Sequence, residues 1–211
     1  MRKTLYYVFD PLCGWCYGAS GTVSAAAAAD IDLRLLPSGL FSGAGARRMD
    51  EAFAAYAWAN DQRIERLTGQ TFSELYRTRV LADRQQTFDS GLATLALTAV
   101  ALTAPDRELD VLAAIQQARY VDGQDITRRQ TLIDLLAEKG LVEASARLHE
   151  PDAALITAND ARVAEAQALL RAVGARGVPT FILERDGRRQ ALQTSAVHSD
   201  PQAFLAQFAA A

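Results

Sequence analysis

The chain has 211 residues, half of them hydrophobic, enough to bury one sizeable core or one core with an inserted subdomain. A net charge of −3 with mixed signs gives no general attraction to nucleic acid or to an anionic membrane. Arg47-Arg48, Arg128-Arg129 and Arg188-Arg189 are short pairs that read as solvated faces rather than a phosphate-binding stripe, and no apolar run approaches the ~20 residues that span a bilayer. Neither nucleic acid nor membrane is therefore expected as a partner.

Thr4-Leu5-Tyr6-Tyr7-Val8-Phe9, rich in β-branched and aromatic residues, predicts a buried strand, and Asp10-Pro11 a turn after it. Cys13-Gly14-Trp15-Cys16 follows, holding the only two cysteines of the chain at the spacing of a dithiol/disulfide couple. An alanine-rich helix is expected over 17–29. Strand, turn and then a cysteine at a helix start puts Cys13 where unpaired N–H groups and the helix dipole favour a thiolate, so Cys13 is the expected nucleophile. A zinc site would need about four ligands, and the only other soft candidates, His149 and His198, lie far apart in sequence. Two inert core cysteines are the other plain reading; the turn and helix-start context argues against it. A secretory signal would need a basic start, a longer apolar core and a cleavage site. Here a short apolar strand runs straight into Asp10, so the expected compartment is the cytoplasm, where a lone cysteine pair is more often catalytic than structural.

Residues 30–37 alternate polar and apolar up to Pro37 and predict a second strand, completing a βαβ unit with parallel pairing. Ser38 to Gly45 is a glycine-bearing loop without the spacing of a nucleotide fingerprint, read as a turn near the active site. From about 47 to 173 apolar residues recur at three- and four-residue intervals, predicting helices over 49–67, 90–103, 106–121, 127–139 and 158–173. Gly69 and Gly140 are the expected helix-ending glycines, while 71–89 reads as partly helical with an exposed connection at Arg84-Gln85-Gln86. Gly177-Val178-Pro179-Thr180 then enters a strand at 180–184, which a turn at Asp186-Gly187 returns as a hairpin over 189–192. Ser199-Asp200-Pro201 marks the start of a last helix.

The strand-CxxC-helix start together with Gly177-Val178-Pro179-Thr180 resembles the thioredoxin superfamily, and the block from Asp10 to Gly18 with the long helical insertion resembles its DsbA-like branch, near cytoplasmic proteins of the protein-disulfide-isomerase type. The resemblance covers nearly the whole chain. It implies an α/β, thioredoxin-like fold with a large inserted helical subdomain: residues 1–44 and 174–211 the thioredoxin-like domain, 45–173 the insertion. It implies a thiol-disulfide oxidoreductase or isomerase in which Cys13 forms a mixed disulfide that Cys16 resolves. Pro179 becomes the cis-proline, and Val178 its neighbour in substrate binding. Trp15, equally readable as a cap on the site, is the third candidate for substrate contact. Partners would be disulfide-containing proteins or small thiols, with no resident cofactor and with glutathione as a candidate co-substrate.

The alternative is a glutathione-dependent isomerase or transferase of the 2-hydroxychromene-2-carboxylate isomerase and kappa type. Those enzymes usually carry serine where Cys13 stands, so the intact pair favours redox chemistry. FrnE-type proteins are also similar, but often bear further cysteines that this chain lacks. Gly14 and Trp15 supply no charge in place of the histidine of DsbA-type oxidants. The couple is therefore expected to lie between about −270 and about −180 mV. Asp10 is readable as a tuning or proton-transfer group or as a plain turn residue; Met49, Phe53, Tyr56 and Phe72 read as groove or, more simply, packing residues, and Tyr17 and Trp58 as core or groove wall.

Overall fold

The computed structural model of the chain describes residues 3–29 and 31–210. Asp30, expected to open the second strand, lies outside the described residues, as do Met1, Arg2 and Ala211 at the ends of the expected thioredoxin-like portion. β1 (Lys3–Phe9) pairs in parallel with β2 (Asp32–Pro37), Thr4 opposite Asp32 and Phe9 opposite Pro37. On its other side β1 runs antiparallel to β5 (Thr180–Arg185), with Tyr7 opposite Phe181. β5 turns back into β6 (Arg188–Ala191) through Asp186 and Gly187, both at positive φ (52° and 75°) as a tight hairpin turn requires. The sheet order is β2-β1-β5-β6.

Alternation along β1 explains why its apolar run is continuous. Leu5, Tyr7 and Phe9 point to one face, where Tyr7 stacks on Phe9 and Phe181 and the latter packs on Phe204. Tyr6 and Val8 point to the other, against Leu36, Ile182, Ala166 and Leu169. Both faces are covered, so both sets of positions are apolar.

The expected helix over 17–29 is two helices, α1 (Gly14–Gly18) and α2 (Ser20–Ala28), which meet at Ala19. Cys13 itself is the N-cap of α1, at a helix start as expected, although the helical residues begin at Gly14 rather than at Tyr17. Residues 47–173 carry α3 (Glu51–Thr68), α4 (Gly91–Thr103), α5 (Glu108–Tyr120), α6 (Arg129–Glu138), α7 (Val142–His149) and α8 (Ala153–Ala172). Asp50 and Asp152 cap α3 and α8 by accepting from the N–H of Phe53 and Leu155, each at 2.7 Å. Gly69 (φ 74°) closes α3 and Gly140 (φ 74°) follows α6, as expected.

Four features depart from expectation. α7 is an additional helix, held by Leu141, Ala144, Ser145 and Leu148 on one buried stripe, and it ends on His149. α8 starts five residues early because Asp152, directly after Pro151, is already its cap. Arg47–Arg48 (β3) and Thr87–Phe88 (β4) form a two-residue ladder inside the helical stretch, and residues Tyr76–Leu81 form a π-helical turn that buries Tyr76, Val80 and Leu81. The chain ends in α9 (Pro201–Ala210) against α2. Among the described residues no helix is long and apolar enough to cross a membrane.

Candidate active site

β1 delivers the chain to Asp10 just past the C-terminal end of this central strand, and the Asp10 carbonyl accepts from the Cys13 N–H (3.1 Å) to close the turn. The Tyr120 hydroxyl donates to the Leu12 carbonyl (2.9 Å) and the Tyr7 hydroxyl to the Cys16 carbonyl (3.1 Å), so both sides of the motif are fixed by tyrosines fully buried in the core. Both cysteines are free thiols. Cys13 is 7% exposed and Cys16 1%. Burial pushes the Cys16 thiol well above its ordinary value and Cys13 beside it raises it further, against the hydrogen bond to the Asp10 backbone, which lowers it.

The Val178–Pro179 peptide bond is cis. Its loop faces the cysteines: the Cys13 thiol donates to the Val178 carbonyl oxygen at 3.8 Å, across 165 residues of sequence. Thr180 Oγ1 donates to the Gly177 carbonyl (2.7 Å) and shapes the loop. The structure thus brings together Cys13, Cys16, Val178 and Pro179, while Trp15 stands at the rim. There it meets His198 edge-on at 5.0 Å, with His198 Nε2 3.0 Å from the Trp15 carbonyl oxygen and the Arg63 guanidinium 5.7 Å from its ring centre.

A cavity of about 140 Å³ opens beside Cys13, with Phe41, Phe53, Tyr56, Asp61 and Tyr76 in its wall. Phe41 comes from the glycine-bearing loop, which is therefore at the site as expected. Phe53 and the exposed Tyr56 line the cavity, whereas Met49 and Phe72 are core. Tyr17 stacks on Tyr120 in the core, and Trp58 lies against Tyr76 and Arg77 away from the cavity wall.

Asp10 is more than a turn residue. Its Oδ1 accepts from the Leu12 N–H (2.9 Å), and its Oδ2 from the Phe41 N–H (3.1 Å) and the Ser90 hydroxyl (2.8 Å). Burial raises the carboxyl, and those three donors together with the Arg119 charge oppose the rise. Arg119 on α5 is fully buried among the rings of Tyr76, Phe88 and Tyr120, and its guanidinium has no hydrogen-bond partner among the described residues. Asp61 on α3 accepts from the Tyr76 hydroxyl at 2.9 Å. Burial drives its carboxyl up to about 7 against the pull of Tyr76 and Arg119.

Asp61, Arg119 and His198 do not stand out in the sequence as site residues. The available signal is a charge on an apolar helical stripe: Asp61 follows Ala54 and Ala57 and precedes Ile64, and Arg119 follows Val111 and Ile115.

The model of the DSBA-like thioredoxin domain matches residues 4–209. The chain belongs to that family. As a DsbA-like protein it is a disulfide oxidoreductase with the thioredoxin-like fold. Among solved structures, the cytosolic disulfide reductase DsbM from Pseudomonas aeruginosa is 38% identical, covering 98% of this chain and 97% of that one at a TM-score of 0.87. The structure of that reductase with GSH aligns at 34% identity over 98% of each chain, TM-score 0.81. A Nitrosomonas europaea protein, 20% identical over 100% of this chain and 98% of its own at TM-score 0.80, shares the fold. No curated protein sequence matches. In this DsbA-like frame a thiol at the edge of a cavity, a buried second thiol and a facing proline loop make a site able to exchange thiols with a bound disulfide.

Proposed function

We propose that this chain is a cytosolic, glutathione-driven disulfide reductase whose working pair is Cys13 and Cys16. The observation that carries the reading is the asymmetry of the pair: Cys13 borders the cavity and faces Val178, while Cys16 is sealed and its thiol is pushed up. The likeness to a cytosolic disulfide reductase, also solved with GSH, supports the direction, the compartment and the co-substrate.

In the oxidised protein the thiol of glutathione gives up its proton and its sulfur attacks Cys13 Sγ; Cys16 leaves with the bond pair, and the proton released by glutathione ends on the buried Cys16 sulfur. A second glutathione attacks the glutathione sulfur of the mixed disulfide, releasing Cys13 and oxidised glutathione. The reduced pair then attacks a substrate disulfide through Cys13, and Cys16 resolves the product. The balance is two glutathione thiols oxidised for each substrate disulfide reduced. Val178 and Pro179 hold the extended substrate segment against Cys13, and Trp15, braced by His198 and Arg63, forms one wall of the docking site. The same reading divides the chain into a thioredoxin-like domain (1–44 and 174–211) and a helical insertion (45–173) that supplies Phe53, Tyr56 and Asp61 to the cavity.

Turnover of bis(2-hydroxyethyl) disulfide by glutathione tests it. Wild type should catalyse the reaction, Cys13→Ser should abolish it, and Cys16→Ser should accumulate one glutathione adduct at Cys13 in intact-mass spectra. A wild type that ignores glutathione, or an active Cys13→Ser, contradicts the reading.

A further inference from the structure

Asp61 is the one buried acid in the cavity wall that the thiol steps above leave unused. Asp61 is 5% exposed, and α3 brings it over the first residue of α1. A Cβ on Gly14 would stand 2.4 Å from Asp61 Oδ1, so the carboxyl packs directly on the backbone next to Cys13. Its Oδ2 accepts from Tyr76, while Oδ1 accepts no hydrogen bond among the described residues. Asp10 is its opposite: both oxygens are taken by donors, and it has no exposed surface. The groups that face Asp61 are Cys13 from the motif, Tyr76 from the π-helical turn, and Arg119 and Tyr120 from α5.

We propose that Asp61 is the general base that takes the proton from the incoming thiol in the Cys13 cavity. The inference rests on the reading of the pair as a glutathione-reduced couple. In the step, the S–H bond of the thiol breaks and its proton goes to Asp61 Oδ1. The sulfur electron pair forms a bond to Cys13 Sγ, and the Cys13–Cys16 bond breaks with its pair left on Cys16. The incoming sulfur is oxidised and the protein disulfide is reduced. A base that titrates near the working pH suits this task, and Asp61 sits at about 7 because burial outweighs Tyr76 and Arg119.

The test is the pH profile of the second-order rate at which glutathione reduces the oxidised protein, followed by Trp15 fluorescence. In wild type the rate should rise through an apparent pKa of about 7, ahead of the ordinary thiol ionisation at ~8.5. Asp61→Asn should lose that rise and fall about 10-fold or more at pH 7, yet approach wild type above about pH 9, where the thiol ionises unaided. A loss by the same factor at every pH marks a purely structural role and overturns the proposal, as does an unchanged rate at pH 7. If Asp61→Asn does not fold, Tyr76→Phe decides: loss of its hydrogen bond should move the rise to higher pH, and an unmoved profile overturns the proposal. Failure of the functional reading looks different, since wild type would then resist glutathione at all pH values, and the proposal would fall with it.

Discussion

At Gly14 a side chain is excluded by Asp61, whose Oδ1 would lie 2.4 Å from the new Cβ. In an isolated helix alanine outranks glycine by about 1 kcal/mol, so this contact should reverse the usual sign. Gly14→Ala is expected to cost about 1–2 kcal/mol in wild type and nothing in an Asp61→Ala background, a coupling that urea denaturation of the four proteins would measure. Equal effects in both backgrounds would mean that the two residues do not compete for the space. Asp61 also carries a stability cost of its own. Its folded pKa of about 7 lies above the unfolded value of about 3.9, so the folded state binds the extra proton. Its contribution is complete below about pH 4 and declines as pH rises to about 7. Asp61→Asn should remove that decline and stand roughly 4 kcal/mol above wild type at pH 8, with little difference at pH 4. Identical pH dependence in the two proteins would place the Asp61 pKa near its ordinary value.

One side chain of α8 hydrogen-bonds the sheet and two other helices together. The Arg162 guanidinium donates to the Leu35 carbonyl on β2 (2.9 Å), to Thr98 Oγ1 on α4 (3.2 Å) and to Glu108 on α5 (2.5 Å). Burial raises the Glu108 carboxyl and Arg162 holds it down. Arg162→Ala leaves that carboxyl buried and unpaired, at an expected cost of about 3 kcal/mol near neutral pH. Because a raised carboxyl pKa loses stability as pH rises, the deficit should shrink when Glu108 protonates at low pH; a deficit independent of pH would contradict the ion-pair account. Glu74→Ala, by contrast, breaks a pair with Arg77 in which both side chains are more than half exposed, and should change stability by less than about 0.5 kcal/mol. Element by element, local signals located β1, β2, β5 and the glycine ends of α3 and α6. They did not locate α7, whose apolar stripe is short, nor the two-residue ladder of β3 and β4, which long-range pairing decides.

Across the whole molecule the site is assembled from distant segments: the cysteine motif, Phe41 from the loop after β2, Asp61 and Tyr76 from the helical stretch, and the Val178–Pro179 loop. Cys13, Cys16 and the proline loop were legible because their chemistry is carried by adjacent residues. Asp61, Arg119 and His198 were not, because each becomes part of the site only when packing buries it or sets it against the motif. The assembled site also accounts for the expected poise of the couple. No charged side chain lies between the cysteines, in contrast to the histidine of DsbA-type oxidants, and burial favours the neutral Cys16 thiol, both of which point to a less oxidising couple. The most direct test is the reduction potential of the Cys13/Cys16 couple, measured by equilibrating the protein in glutathione buffers and quantifying both redox forms. A value between about −270 and about −180 mV is predicted, within reach of glutathione; a value near the −120 mV or so of a strong disulfide oxidant would contradict the reductase account.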